Sequence, residues 1–235
     1  MISPLKTIRL TITILCLSIS TVSIADVVEV FQWKAHPGRA QDMLLSMAAA
    51  AQISASEGGQ VSIDAHNIGS TQLINYVVRW DNTKDYAKSK DKQRSSKAWE
   101  AFWAESNANP AGELVASFSA NNLDPTKKAS DFKGSYVYSA AIWKVNPGKD
   151  LALIGRFMEA KSVLEAAGAR VEIYAGSWGA PGEYHYVLMF DSWTELEASF
   201  SKLGPGSDWA KLMQRRANEE GVAEQIGYIT AQTIN

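Results

Sequence analysis

Residues 27–34 and 136–144 are short runs in which β-branched and aromatic side chains crowd together, as strands require. Pro37-Gly38 and Pro147-Gly148 turn the chain after each run. A helical stripe follows in both places: Met43, Leu44 and Met47 in the first, Leu153, Ile154 and Phe157 in the second. Gly58 and Gly168 mark where these helices stop, because glycine tolerates the positive φ of a helix end. The next strand alternates cleanly, with Val61, Ile63 and Ala65 on one side and Ser62, Asp64 and His66 on the other. Third strands run over 73–80 and 184–190, with one face apolar or aromatic throughout. Second helical regions end near Glu105 and Asn218, the later one interrupted by Gly204-Pro205-Gly206, and last strands fall at 117–121 and 226–232. The order strand, helix, strand, strand, helix, strand therefore occurs twice.

The two passages hold a fixed offset of 110 residues without a gap: Trp33-Lys34 with Trp143-Lys144, Pro37-Gly38 with Pro147-Gly148, Trp80-Asp81 with Phe190-Asp191, Trp99 with Trp209. Such register predicts a tandem duplication. Residues 26–123 form the first unit, the polar stretch 124–134 a linker, and 135–235 the second unit. A β-α-β-β-α-β unit is the ferredoxin-like pattern, whose sheet carries helices on one face only. The expected fold is α+β, with two such units packing their antiparallel sheets face to face as an intramolecular α/β barrel. The Trp-Lys-x-x-Pro-Gly turns, the Trp80-Asp81 and Phe190-Asp191 strand ends, and Trp99 and Trp209 resemble the dimeric α/β-barrel superfamily, in its antibiotic-biosynthesis-monooxygenase-like branch.

The first 25 residues stand apart. Lys6 and Arg9 precede an apolar run from Leu10 to Ile19, and Ser23-Ile24-Ala25 provides small residues where a signal peptidase reads. Cleavage before Asp26 is expected, which places the protein in the periplasm or the medium, with no stable membrane insertion afterwards. The single cysteine, Cys16, lies in this segment, so residues 26–235 offer no disulfide, thiolate nucleophile or cysteine metal ligand. Loss of Lys6 and Arg9 moves the formal net charge from −2 to −4, and no basic stripe suggests a nucleic-acid partner. The three histidines, His36, His66 and His185, lack partners at metal-ligand spacing, so no metal is expected. Some members of the resembling superfamily bind haem through a histidine on the second helical region. Ser89 and Ser199 stand there instead, so no cofactor is expected.

Candidate chemistry lies where the two passages diverge on the mixed faces of their middle strands. Asp64 and His66 stand against Tyr174 and Gly176, Asn75 against His185, and Arg79 against Met189. Polar groups between two sheets are costly unless paired, so Asp64, Arg79 and their neighbours are either a structural ion-pair network or ligand contacts. Trp99, Trp209 and Trp178, the last on the loop 176–182, complete the candidate ligand-binding set of Asp64, His66, Asn75, Arg79, Trp99, Tyr174, Trp178, His185 and Trp209. Eight Trp, eight Tyr and seven Phe fit a pocket for a small apolar or aromatic molecule in a sheet–helix cleft. Two alternatives stay open. One is an enzyme resembling cofactor-independent monooxygenases, with Arg79 and His185 as catalytic candidates. The other is a structural or assembly protein, in which identical chains associate.

Overall fold

Eight strands close into a ring in the computed structural model, which describes residues 26–69 and 72–234. The expected signal segment lies outside the described residues. In chain order the first half contains β1 (Val27–Ala35), α1 (Ala40–Ser56), β2 (Gln60–Ile68), β3 (Leu73–Trp80), α2 (Thr83–Gln93), α3 (Lys97–Ala108) and β4 (Gly112–Asn122). The second half repeats that order with β5 (Val137–Val145), α4 (Asp150–Ala167), β6 (Arg170–Gly176), β7 (Glu183–Phe190), α5 (Trp193–Phe200), α6 (Asp208–Arg216) and β8 (Ala223–Thr233). Both last strands begin earlier than the apolar pattern suggests, because Leu114 and Val115 in one and Glu224 and Gln225 in the other are exposed and leave no buried alternation to read.

The ring order is β1-β3-β2-β8-β5-β7-β6-β4, with every neighbour antiparallel. The halves are joined twice, through β2–β8, where Asp64 faces Thr233, and through β4–β6, where Asn122 faces Tyr174. Opposite Gln32/Trp33 and Ile142/Trp143 the register skips Val115 of β4 and Ile226 of β8, bulges that bend those two strands at equivalent points where the sheet must curve into a barrel. Closure removes exposed sheet edges.

Period-two alternation then sorts the side chains. Val28, Val30, Val77, Ala120, Tyr138, Tyr174 and Met189 point into the lumen and form one core. The opposite strand faces meet the helices in two outer cores. In the first half Met43, Met47 and Ala50 of α1 pack on Tyr76, Val78 and Trp80. In the second, Leu153, Phe157, Ala160 and Leu164 of α4 pack on Tyr186, Leu188 and Phe190. These helices stop where glycine takes positive φ, at Gly58 (97°) and Gly168 (109°). Asn82 and Ser192 cap α2 and α5 by accepting hydrogen bonds from the backbone N–H of Asp85 and Glu195. The stretch 124–134 carries a 3₁₀ turn (Ala129–Phe132), whose buried Phe132 plugs one end of the barrel beneath Arg79 and Arg170.

Candidate functional site

A cavity of about 660 Å³ lies between the outer face of the first-half sheet and α1 and α3. Its floor is Phe31, Trp33 and Tyr76, one wall is Met43 and Met47, and the other is Trp99, Phe102 and Trp103. Trp99 and Trp103 stack at 5.8 Å, and the Trp99 Nε1–H donates to Glu57 at 2.9 Å, which fixes the ring. The Ser54 and Tyr76 hydroxyls share a buried hydrogen bond of 2.9 Å at the inner end. Burial, only partly offset by that bond, pushes the Tyr76 hydroxyl up to about 12, so it stays neutral. Lys90 closes one edge through a 2.7 Å ion pair with Glu29.

The same space in the second half is filled. At the 110-residue offset, Ser54 becomes Leu164, Lys90 becomes Phe200, Gln93 becomes Leu203 and Met47 becomes Phe157. Leu164, Phe157, Phe200 and Leu203 all join the second outer core. The helices are also latched there: Arg216 reaches Glu159 at 2.7 Å, Arg215 pairs with the same carboxylate, and Arg156 pairs with Glu219 at 3.0 Å. Ser106, Glu105 and Ser46 stand at the positions matching Arg216, Arg215 and Arg156, and Ala49 at that of Glu159, so α3 has no such latch. As a result α6 buries Leu212, whereas α3 buries no residue and leaves Trp103 45% exposed. Small and polar substitutions at matched positions thus hold one cleft open and close the other.

A smaller cavity, about 250 Å³, is the barrel lumen. Asp64, Asn75, Arg79, Tyr174 and His185 all line it, so five of the nine candidate residues share one space. Arg79 donates to Asp26 at 2.8 Å and to the Tyr174 hydroxyl at 2.8 Å, and its guanidinium lies 4.1 Å above the Phe132 ring. Burial raises the Asp26 carboxyl, against the opposing pull of Arg79 and the Tyr174 hydrogen bond. Burial also pushes Asp64 up to about 6, opposed by Arg79 and by hydrogen bonds from Thr233, Ser62 and Tyr138. His185 stacks on Phe118 at 4.6 Å and 12°, and burial lowers it to about 4, so the ring is neutral near pH 7. His66 is buried on the same face of β2 as Asp64.

The remaining candidates lie elsewhere. Trp99 belongs to the sheet–helix cleft, and Trp209 packs against the filled second core. Trp178 lines neither cavity; it is exposed and rests against Tyr86, with ring centres 5.9 Å apart. Arg79 and His185, the catalytic candidates, face the lumen and do not reach the cleft. Sequence reasoning missed Trp33, Ser54, Tyr76, Phe102 and Trp103 as cleft residues. The substitutions 110 residues apart on the helix-facing positions carry that signal. Among the described residues, no group of three or more His, Cys, Asp or Glu is placed to hold a metal, and no helix is long and apolar enough to cross a membrane.

This closed, antiparallel, helix-wrapped ring is the dimeric α/β-barrel fold, here built within one chain. No protein-family model matches the sequence, and no curated protein matches it. Solved structures do match. A proposed monooxygenase of Fusobacterium nucleatum superposes with a TM-score of 0.60 at 8% identity, over 90% of this chain and 94% of that one. An anthrone oxidase-like protein gives 0.54 at 17% identity, over 91% and 92%. A double mutant of the chlorite dismutase from Candidatus Nitrospira defluvii gives 0.52 at 8%, over 90% and 92%. At these identities the likeness is one of fold.

Proposed function

We propose that this protein binds a small apolar or aromatic molecule in the sheet–helix cleft of its first half. The observation that carries the proposal is the asymmetry between the halves, in which one cleft is open and lined by aromatics and the matched one is packed. Ligand pockets have this character: mostly apolar walls, a few fixed polar groups, and a volume of several hundred Å³. Trp99, Trp103, Phe31 and Trp33 offer faces for stacking, and the Ser54–Tyr76 hydroxyl pair offers a polar point for orientation. The name of the anthrone oxidase-like fold neighbour suggests anthrone, a flat tricyclic ketone, as the probe. Titrated by tryptophan fluorescence, anthrone is expected to saturate one site per chain and to raise the thermal midpoint. Trp103→Ala is expected to weaken binding roughly tenfold with little loss of stability, since that ring is half in solvent. Unchanged affinity in this variant would sink the proposal.

A second reading, oxidation of the bound aromatic by dioxygen, draws on the names of the monooxygenase and anthrone oxidase-like neighbours. Its polar groups would be the Ser54 and Tyr76 hydroxyls, because Arg79 and His185 face the other cavity. Oxygen uptake in the presence of anthrone, lost in Tyr76→Phe, is the expected signature, and binding without uptake would leave the binding function alone. The site of action proposed is the periplasm or the medium. The Lys6–Ala25 pattern and the absence of cysteine after residue 25 support it. N-terminal sequencing of the exported fraction should read from Asp26, and recovery only of the uncut chain from the cytosol would contradict it.

A further inference from the structure

The barrel lumen contains more hydrogen-bond acceptors than its own donors satisfy. Asp64 Oδ1, Asn75 Oδ1 and Asp26 Oδ1 are three carbonyl or carboxylate oxygens without a hydrogen-bond partner of standard geometry, against two unpaired donors, Arg79 Nε and the hydroxyl of Thr233 opposite Asp64. These acceptors are deeply enclosed: Asp64 is 2% exposed and Asn75 4%. Unpaired buried acceptors of this kind cost on the order of 1–3 kcal/mol each, which a bound donor would recover.

The charges point the same way. Facing the lumen are Asp64 and Arg79, the latter paired with Asp26, together with Tyr136, Tyr138, Tyr174 and His185, and on the same face of β2 His66. The Arg79 guanidinium hydrogen-bonds to Asp26 and Tyr174 and acts on Asp64 only through space. Glu183 adds a carboxylate where the cavity reaches the surface beside Gln32, with Lys144 3.9 Å from it. Asp64 and Asn75 stand directly opposite each other on β2 and β3, so both free acceptors can reach one nitrogen. Beyond them the walls are Val30, Val77, Phe118, Tyr138 and Val187.

We propose that the lumen is a second binding site, separate from the sheet–helix cleft, and that its ligand is a small primary amine with an apolar or aromatic body. The ammonium supplies the missing charge to Asp64 and N–H donors to Asp64 Oδ1 and Asn75 Oδ1. The body lies along the aliphatic and aromatic walls, with the Phe118–His185 stack at the far side. Burial holds the Asp64 carboxyl up at about 6, and an ammonium beside it would bring it back down.

The purified protein is titrated with benzylamine near pH 7.5 by calorimetry, and the bound state is read from methionine methyl resonances. Met189 lines the lumen, whereas Met43 and Met47 line the cleft. The expected result is one benzylamine per chain, a shifted Met189 methyl, and unmoved Met43 and Met47. Benzyl alcohol, of the same shape without the charge, should bind at least about tenfold more weakly, as should benzylamine to Asp64→Asn. Should that variant fail to fold, Asn75→Ser provides the same comparison. Absence of binding, equal affinity for amine and alcohol, retained affinity in these variants, or shifts at Met43 and Met47 in place of Met189 would each overturn the proposal. Only the last of these outcomes involves the cleft, which it would show taking the amine instead; the others leave the cleft untouched, and anthrone tests it separately.

Discussion

Asp64→Asn is expected to stabilise the protein, and to do so more as the pH rises. Asp64 is buried, and burial outweighs the through-space pull of Arg79, so it titrates at about 6 when folded against an ordinary value of 3.8. A carboxyl with a raised folded pKa contributes stability that is fully present below its unfolded value and is lost as the pH rises through the folded one. The gap of about two units corresponds to roughly 3 kcal/mol lost between pH 4 and pH 7. Asparagine keeps the shape and keeps an oxygen to accept from Ser62 and Tyr138, now at 3.4 and 3.5 Å, but never ionises. Linkage gives the variant an advantage of about 1 kcal/mol near pH 4.5 and about 3 kcal/mol near pH 7.5. His185, lowered by burial to about 4, titrates in both proteins and cancels from the difference. Urea unfolding of both proteins at the two pH values measures this directly. A difference that does not change with pH, or a variant less stable than the parent near pH 7.5, would refute the reasoning.

Two further variants test other contacts. Arg79→Met strips the cation from fully buried Asp26 and is expected to cost about 3–5 kcal/mol in urea unfolding, much of it recovered by adding Asp26→Leu. Gly179 sits at φ 84°, and a Cβ there would lie 2.6 Å from the Ser117 carbonyl oxygen, so Gly179→Ala should lower stability by roughly 1–3 kcal/mol and loosen the loop that Ser119 ties to the barrel through Ser177 and Trp178; a thermal midpoint equal to the parent's would contradict this.

Much of the fold was legible because strand alternation and the 110-residue offset both report on burial. Ser62, Asp64 and His66 against Val61, Ile63 and Ala65 already separates lumen from helix side. The ring order was not legible, since pairing of Asp64 with Thr233, or of Asn122 with Tyr174, joins residues whose side chains carry no mark of partnership. The same holds for Asp26, 53 residues from Arg79 and next to the expected cleavage point. For the site, attention to polar divergence on the inner strand faces led to the lumen. The open cleft was written instead in losses of bulk, Leu164 to Ser54 and Phe200 to Lys90, at helical positions where either residue alone reads as ordinary.

The most direct test of the central claim is methionine methyl NMR of the protein titrated with anthrone. Met43 and Met47 line the open cleft, Met213 packs against the filled second core, Met189 lines the lumen and Met158 is exposed. The open-cleft account predicts saturable shifts of the Met43 and Met47 methyls, with Met213, Met189 and Met158 unmoved. Shifts centred on Met213, or no shift at any methionine up to the solubility limit of anthrone, would contradict it.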